Sequence, residues 1–311
     1  MLSISQASNC LSCVEWLPSE SGPSVVQYKK IGFQDKSFID FLENVLNKLD
    51  NKIHEATNKN LTLSLDSNNV SISSFKYDKS ISLKEKIDWY ENVFLGPYVL
   101  KNYDIYYYSL ESISAEVLVI YIDKQIKKNI LESCEKHGFR LKHLSIDIFS
   151  ANSSLNMYNV PNDNYILWKI GKNKNHSILF FKDKNFSNYI NFNLFKNIEI
   201  LQSIGTEQYT EKLVSIIEHI VNYKKIKSLD YDFYNQIYVY QTKNNYDLLK
   251  EISMIDSNKI TVMDIGSKFL NKNLKNKISY NLLSFNENGN SLEGIDVWFK
   301  SNQQSWLTKI W

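Results

Sequence analysis

The sequence predicts an α/β protein built from two similar lobes, and three observations lead to this prediction. Residues 116–152 read as a strand, a helix and a second strand in direct succession. Strand hairpins followed by a helix and a further strand occur once in each half of the 311-residue chain. A polar, proline-containing stretch at residues 153–164 separates the two halves. This arrangement is typical of a duplicated α/β architecture.

The strand–helix–strand unit has the clearest signals. An apolar run from Val117 to Ile122 is followed by Asp123, a residue type that favours the N-cap of a helix. The helix keeps Ile126, Ile130, Leu131 and Cys134 on one side, and Gly138 ends it. We expect the second strand to continue by alternation as far as Phe149.

The first half of the chain predicts further strands and two helices. Alternation and apolar runs predict strands over residues 2–16, 25–33, 61–65, 70–75 and 103–110. One helix begins at Ser37. Ser82 and Glu85 form a capping box for another, with Leu83, Ile87, Tyr90 and Phe94 on its apolar face, and Gly96–Pro97 breaks that helix.

The second half repeats the alternation of strands and helices. Three short strands are predicted over residues 165–170, 177–181 and 187–195. A long amphipathic helix begins at Thr206, and it is followed by a strand, a helix and a strand at residues 237–240, 246–252 and 259–263.

Composition favours an ordinary globular protein of the cytoplasm. Apolar residues make up 43% of the chain, charged residues 23%, and the net charge is only +2. Arg140 is the only arginine, which counts against a sequence-specific reader of nucleic acid. We expect no membrane span, no signal peptide, no disulfide framework from three cysteines, and no metal site.

Motifs of catalysis are missing from the sequence. It contains no nucleophile elbow, Walker loop, zinc motif or dinucleotide fingerprint. Only nine glycines are present, whereas loops that cradle phosphate need glycine. Both facts argue against an enzyme.

The chain resembles the PilM-like assembly proteins of type IV pili and the related cytoplasmic part of GspL in type II secretion. The resemblance lies in the sequence of residues 61–77 and 116–152 and in the order of elements over residues 1–285. The resemblance implies an actin-like (ribonuclease H-like) duplicated two-lobe fold with a small inserted α+β subdomain. It divides the chain as follows: the first part of the first lobe at 1–70, the inserted subdomain at 71–145, the return to the first lobe and a hinge at 146–164, the second lobe at 165–285, and an aromatic tail at 286–311.

In the actin-like superfamily, two Asp-x-Gly loops and a Gly-Gly turn hold a nucleotide and its metal ion. The corresponding positions here are Ser5 and Ala7, Lys169 and Gly171, and Thr242 and Lys243. Because both acids are replaced, the resemblance implies no cofactor, no hydrolysis and at most residual ATP binding. A further match, Asp264-Ile265-Gly266-Ser267, comes too late in the chain and is interpreted as structural.

The resemblance also implies a peptide-binding cleft between the inserted subdomain and the first lobe. Its partner would be the short cytoplasmic peptide of a bitopic inner-membrane protein, PilN-like. The candidate positions are Leu63, Leu65, Phe75, Tyr103, Tyr106, Tyr107 and Tyr108. The alternative is that these tyrosines pack a thin sheet. The tail, which holds Trp298, Trp306 and Trp311, either docks on the core or contacts a partner or the membrane interface.

The expected function is therefore that of a non-catalytic adapter in type IV pilus or type II secretion assembly, at the cytoplasmic face of the inner membrane. It would contact the membrane only indirectly and bind no nucleic acid, and assembly into homo-oligomers is left open. The alternatives are an active actin-like ATPase and an actin-like scaffold with an unrelated partner.

Overall fold

A computed structural model describes residues 1–7, 10–19, 22–32, 37–50, 59–110, 115–155, 164–171, 175–183, 185–223, 233–241, 248, 251–252, 254–255 and 259–263. Its strands are β1 (Leu2–Ala7), β2 (Cys10–Ser19), β3 (Gly22–Gly32), β4 (Asn60–Leu65), β5 (Ser71–Lys76), β6 (Tyr103–Ser109), β7 (Glu116–Asp123), β8 (Arg140–Ile146), β9 (Tyr165–Ile170), β10 (Asn175–Lys182), β11 (Asn185–Leu194), β12 (Ile198–Ile204), β13 (Gln236–Gln241) and β14 (Ile260–Val262). Its helices are α1 (Phe38–Asp50), α2 (Leu83–Trp89), α3 (Gly96–Asn102), α4 (Lys124–Lys136), α5 (Asp147–Ser154) and α6 (Glu207–Tyr223).

The first lobe is organised around a five-stranded sheet in the order β3-β2-β1-β4-β8. Strands β1 to β3 form antiparallel hairpins, whereas β1, β4 and β8 run parallel to one another. Leu61, Leu63 and Leu65 of β4 are buried in the apolar core that includes the buried face of α1. Strict alternation along β4 therefore predicts the face of the sheet correctly.

The other face of this sheet carries a row of small hydroxyl side chains. Ser12, Ser5, Ser64 and Ser145 are neighbours in register on β2, β1, β4 and β8. The Ser150 hydroxyl of α5 donates to the Ser64 Oγ atom at 2.9 Å. Because these side chains are small, α5 can lie close against the sheet.

Helix α5 lies between the two lobes. All of its residues except Asn152 are buried. The ring of Phe149 contacts Phe186 and Tyr189 of β11, with centroids 6.1 and 6.0 Å apart. One continuous apolar core thus extends from the first sheet through α5 to the second sheet.

The second lobe contains a six-stranded sheet in the order β12-β11-β10-β9-β13-β14. Its strands alternate between two cores. Leu167 and Leu179 belong to the core shared with the first lobe. Ile166, Trp168 and neighbouring residues form a separate core with the buried face of α6.

A small sheet, β5-β7-β6, forms a separate unit with α2, a π-helical turn at Tyr90–Leu95, and α3. We call this unit, residues 71–123, the insert. The insert contacts the second lobe directly. The Gln202 side-chain amide donates to the Ile72 carbonyl, and the Gly205 N–H donates to Glu116 Oε2 at 3.1 Å.

Four details differ from the sequence predictions in the first half. Residues 2–16 are not one strand, because Ala7 and Cys10 are the last pair of an antiparallel hairpin. The strand β8 ends at Ile146, and the Asp147 carboxylate accepts the Ile148 N–H at the start of α5. Gly96 and Pro97 begin a further helix, α3, instead of ending the helical segment, because proline is favoured in the first turn of a helix. Strand β8 pairs with β4, so the return to the first sheet begins at Arg140 and not at 146.

The second half differs in one element. Strand β12 was not predicted, because its residues are mostly exposed and do not alternate between apolar and polar. The helix expected over 246–252 is helical at Leu248, Glu251 and Ile252, and its other residues lie outside the described part. None of the described helices has the length and hydropathy needed to cross a membrane.

Candidate functional site

The carboxyl ends of three neighbouring parallel strands meet at the boundary between the lobes. Gln6 lies near the end of β1, Asp66 follows β4, and Asp147 follows β8. Ligands of open α/β sheets bind outside the carboxyl ends of strands, so this position is the natural candidate. We call it the interlobe site, and Lys169 of β9 completes it from the second lobe.

A network of hydrogen bonds fixes the first-lobe side of the interlobe site. The Gln6 Oε1 atom accepts from the Asp66 N–H at 3.2 Å and from the Asn69 side-chain amide at 2.8 Å. The Ser67 N–H donates to Asp147 Oδ2 at 2.9 Å. The turn after β4 is therefore held against both flanking strands.

The Lys169 ammonium forms an ion pair with Asp147 Oδ2 inside this network. The two side chains are only 10% and 1% exposed, respectively. Burial alone would raise the pKa of Asp147, but the Lys169 ammonium and the N–H groups of Ser67 and Ile148 outweigh it and hold that pKa below its usual value. Asp147 is thus a buried, charged and fully engaged carboxylate.

The other positions of the expected nucleotide loops carry no acid. Ser5 is fully buried within the serine row, and Ala7 is the last residue of β1. Glycine is favoured at position 171 for a steric reason, because a Cβ atom there would lie 2.6 Å from the Asn175 carbonyl oxygen. Thr242, Lys243 and the Asp264–Ser267 match lie outside the described residues.

The described residues contain no group of three or more His, Cys, Asp or Glu side chains arranged to hold a metal ion. Asp147 of the interlobe site accepts three donors: the Lys169 ammonium and the N–H groups of Ser67 and Ile148. As it stands, the arrangement can join the two lobes electrostatically.

Two of the positions expected to bind a peptide cannot do so. Leu63 and Leu65 are 0% exposed. Strand β4 pairs with β1 on one side and β8 on the other, so neither its side chains nor its backbone edges are accessible there. Their burial in the first-lobe core is the physical reason for this correction.

The aromatic positions of the insert are held largely by internal contacts. Phe75 stacks on Tyr90 at 4.2 Å, Tyr106 is buried, and the Tyr107 hydroxyl donates to Glu91 at 2.9 Å. Burial, followed by the bond to the Glu91 carboxylate, raises the pKa of Tyr107. Tyr108 meets the edge of Phe186 at 5.9 Å. Tyr103 begins β6 and is partly exposed.

Strand β6 is an edge strand of the small sheet within the described residues. Within the described residues, β6 pairs with β7 and lies at the end of its sheet. The opposite edge strand, β5, instead has its Ile72 carbonyl bonded by Gln202 of the second lobe. Of the two edges of the small sheet, the β5 edge thus has a bond to the second lobe, whereas β6 pairs only with β7 among the described strands.

Sequence reasoning missed two features of the structure. Lys169 was identified by its position, but its partner Asp147 had been assigned to a strand. Phe94 was predicted on the buried face of a helix but is 70% exposed. The π-helical turn at Tyr90–Leu95 has more residues per turn than an α-helix, which rotates Phe94 outward. The unusual density of aromatic residues at 89–98 was the sequence signal that could have indicated this exposure.

The fold is the duplicated, two-lobed α/β class of actin-like proteins. A solved chain of a "PilM-PilN type IV pilus biogenesis complex" is similar in fold, with a TM-score of 0.57 and 12% identity over 93% of this chain and 98% of that one. The similarity to PilM-like proteins expected from the sequence is thereby confirmed at the level of fold. No protein-family model and no curated protein matches the sequence.

Two weaker structural similarities have TM-scores below 0.5. One is to the cytoplasmic domain of EpsL, from the type II secretion system of Vibrio cholerae, with a TM-score of 0.45 and 7% identity over 94% of this chain and 95% of that one. The other is to a Bacteroides thetaiotaomicron protein with an actin-like ATPase fold and unknown function, at 0.43 and 12% identity over 88% and 93%.

Proposed function

We propose that this chain is a non-catalytic adapter of type IV pilus or type II secretion assembly, acting at the cytoplasmic face of the inner membrane. The similarity in fold to a chain of the PilM–PilN complex supports a role in this kind of assembly. The observation that carries the non-catalytic part is the buried ion pair between Lys169 and Asp147 in the interlobe site.

A magnesium ion at the interlobe site would have to compete with Lys169 for the Asp147 carboxylate. Mg²⁺ in nucleotide sites is bound through carboxylate oxygens. To bind the ion, Asp147 would have to release the Lys169 ammonium, which would then lie buried beside a second cation. Burying an unpaired charge costs several kcal/mol, on the order of 3–5. The pair therefore favours a lobe arrangement that does not depend on nucleotide.

Calorimetric titration of the full chain with Mg·ATP tests this part of the proposal. We expect no binding heat at millimolar nucleotide and no release of phosphate, beside an active actin-like ATPase as a positive control. Micromolar affinity would favour the alternative, an active ATPase that uses Lys169 and Gly171.

The adapter would bind its partner by strand addition at the outer edge of β6. Edge strands offer unpaired backbone N–H and C=O groups to an extended peptide. The Lys127 ammonium donates to Asp104 at 2.6 Å and to the Tyr106 hydroxyl at 3.0 Å, which fixes β6 against α4. A rigid edge reduces the entropy that peptide binding must overcome. The partner proposed is the cytoplasmic peptide of a bitopic inner-membrane protein, PilN-like.

Hydrogen exchange with and without that synthetic peptide tests the location of binding. The peptides to test are the cytoplasmic segments of bitopic membrane proteins encoded near this chain in its host. We expect new protection at the amides of residues 103–109 and unchanged exchange in β13 (Gln236–Gln241). Protection confined to another strand, or none at saturating peptide, would contradict the β6 site.

A further inference from the structure

We propose that the partner segment is bound through the main-chain groups of three alternate residues of β6, which are Ile105, Tyr107 and Ser109. This inference rests on the function proposed above, and it specifies the kind of segment that the β6 edge takes. The segment is an extended stretch of about five residues, with no proline at the positions whose amides face β6. It is recognised by its main chain and not by its charge.

The hydrogen bonds of the small sheet determine the direction in which each residue of β6 points its main-chain groups. The Leu110 N–H donates to the Glu116 carbonyl at 2.8 Å, and continuation of the register places these two residues opposite each other. In an antiparallel pair, residues that bond to the partner strand alternate with residues whose groups point the other way. The even-numbered residues of β6 therefore bond to β7, whereas the odd-numbered residues direct their N–H and C=O groups away from it.

Two further contacts agree with this alternation. The Tyr103 N–H donates to the Val99 carbonyl of α3, as expected for an odd-numbered residue of β6. On the other side of the sheet, the Tyr77 N–H donates to the Ala115 carbonyl at 2.8 Å, so the even-numbered residues of β5 point away from β7. Ile72 is one of them, and its carbonyl accepts a side-chain amide of the second lobe.

The length of the bound segment follows from the two ends of β6. Because the Tyr103 N–H already donates to α3, the odd-numbered donors of the strand begin at Ile105. The last residue of the strand is Ser109, four positions later. At roughly 3.4 Å per residue these positions span about 14 Å. An added strand of about five residues pairs with this length, and every second amide of that strand faces β6.

The central side chains of β6 are engaged within the protein. The Lys127 ammonium donates to Asp104 at 2.6 Å and to the Tyr106 hydroxyl at 3.0 Å. On the opposite face of the sheet, the Tyr107 hydroxyl donates to Glu91 at 2.9 Å. Because these groups already have partners, the main chain supplies the hydrogen bonds for the segment. Such recognition tolerates many sequences, favours β-branched and aromatic residues, and excludes proline where an amide must donate.

Amide hydrogen exchange in the free chain, resolved residue by residue by NMR, is the first test. We expect slow exchange at Tyr106 and Tyr108, whose N–H groups bond to β7. We expect fast exchange at Ile105, Tyr107 and Ser109. Slow exchange at all five residues would mean that another part of this chain already pairs with the edge, and it would overturn the proposal. The opposite alternation would overturn it as well.

A scan of N-methylated peptides is the second test. The probe is whichever synthetic cytoplasmic segment of a neighbouring bitopic protein binds the full chain, methylated at one amide at a time and titrated by fluorescence anisotropy. A methyl group on an amide that faces β6 removes a donor and blocks pairing. Binding should weaken about tenfold or more at alternate positions, through loss of a main-chain hydrogen bond and steric exclusion. The intervening positions are internal controls, and methylation there should change affinity by about threefold or less.

Two proline variants test the edge from the side of the protein. Ser109→Pro removes an N–H that points away from β7, so the bonds within the sheet remain. Lys76→Pro makes the same change at an outward-pointing residue of β5 and is the matched control. Ser109→Pro should weaken peptide binding about tenfold or more, whereas Lys76→Pro should bind like the unmodified chain. Circular dichroism checks folding, and the N-methyl scan decides alone if Ser109→Pro does not fold.

The outcomes separate this inference from the function on which it rests. If a segment binds and protects residues 103–109, but methylation has no alternating effect, the adapter function stands and main-chain pairing is wrong. Unchanged affinity in folded Ser109→Pro would lead to the same conclusion. If no cytoplasmic segment binds the full chain at all, both the proposed function and this inference are wrong.

Discussion

The ammonium of Lys169, on a strand of the second sheet, is paired with the carboxylate of Asp147, at the first residue of the helix between the lobes. The two residues are 22 positions apart in the chain, and the pair joins elements of different lobes. Its charges are shielded from water by the surrounding core. Removing the pair should therefore lower the stability of the whole molecule.

Replacing Lys169 with methionine should lower the free energy of unfolding by about 3–5 kcal/mol, because the Asp147 carboxylate would be left buried and unpaired. The double variant Lys169→Met/Asp147→Asn should recover much of this loss. Urea unfolding followed by circular dichroism measures both. Equal stability of the single and double variants would mean that the charges are not coupled.

The same pair predicts behaviour in acid. The pKa of Asp147 lies below its ordinary value of 3.8 in the folded chain, so the unfolded chain takes up its proton first as the pH falls. The stabilisation is complete above that ordinary value and is lost as the pH drops through the lower, folded value. Urea unfolding between pH 5 and about 3 should thus show a steeper loss of stability in the unmodified chain than in Lys169→Met/Asp147→Asn.

His176 predicts a second pH dependence at milder acidity. It is buried, its Nδ1 atom accepts the indole N–H of Trp168 at 3.1 Å, and burial lowers its pKa from 6.5 to about 4. Unfolding releases the imidazole to bind a proton between these values, so stability falls as the pH drops from 6.5 toward 4. The loss between pH 7 and 5 should be about 2 kcal/mol.

His176→Asn keeps an acceptor near Trp168 but cannot be protonated in this range. Its urea midpoint should change less between pH 7 and 5 than that of the unmodified chain. A parallel change in both proteins would place the pH dependence elsewhere.

Gly205 should tolerate no side chain. Its φ angle is +110°, and a Cβ atom would lie 2.3 Å from the Ser187 carbonyl oxygen. Gly205→Ala should therefore destabilise the chain by roughly 3 kcal/mol or more, through backbone strain together with overpacking. Gly96→Ala is the matched control, because φ is +65° there but no atom lies within 4 Å. Gly96→Ala should lower the stability by only about 1 kcal/mol. Similar thermal midpoints for the two variants would refute the steric argument.

Glu116 should hold the insert against the second lobe. It is buried, accepts the Ser74 hydroxyl, and accepts the Gly205 N–H at 3.1 Å. Glu116→Ala would leave two half-buried donors, the Ser74 hydroxyl and the Gly205 N–H, without this acceptor. A fully buried unpaired donor costs about 1–3 kcal/mol, so each of these should cost less. We expect faster hydrogen exchange at residues 203–206 and unchanged exchange in β4 (Asn60–Leu65). An unaltered rate at 203–206 would count against this role.

Much of the fold was predictable because local signals and tertiary packing agree. The Asp123 carboxylate accepts N–H groups of Gln125 and Ile126, and the Ser82–Glu85 capping box forms as expected. Gly138 ends α4 with a φ angle of +70°. At these positions the residue type and the geometry that it favours are local, so no knowledge of distant contacts was needed.

The interlobe site was less predictable, because its chemistry depends on distant residues. Position 169 was identified from a resemblance, but only the packing of α5 between the sheets brings Asp147 to it. The outward rotation of Phe94 depends on a π-helical turn, which periodicity at 3.6 residues per turn does not reveal. The burial of Leu63 and Leu65 was correctly implied by alternation, and it contradicts their assignment to a peptide cleft.

The enclosure of α5 has a consequence for folding. Phe149 is 1% exposed, and the rings of Phe186 and Tyr189 that contact it belong to the other half of the chain. Neither half can complete its interior alone, so the chain should acquire its structure as a single cooperative unit. During synthesis, α5 would be covered only after β9 to β11 have been made, and until then Phe149 would be exposed to chaperones.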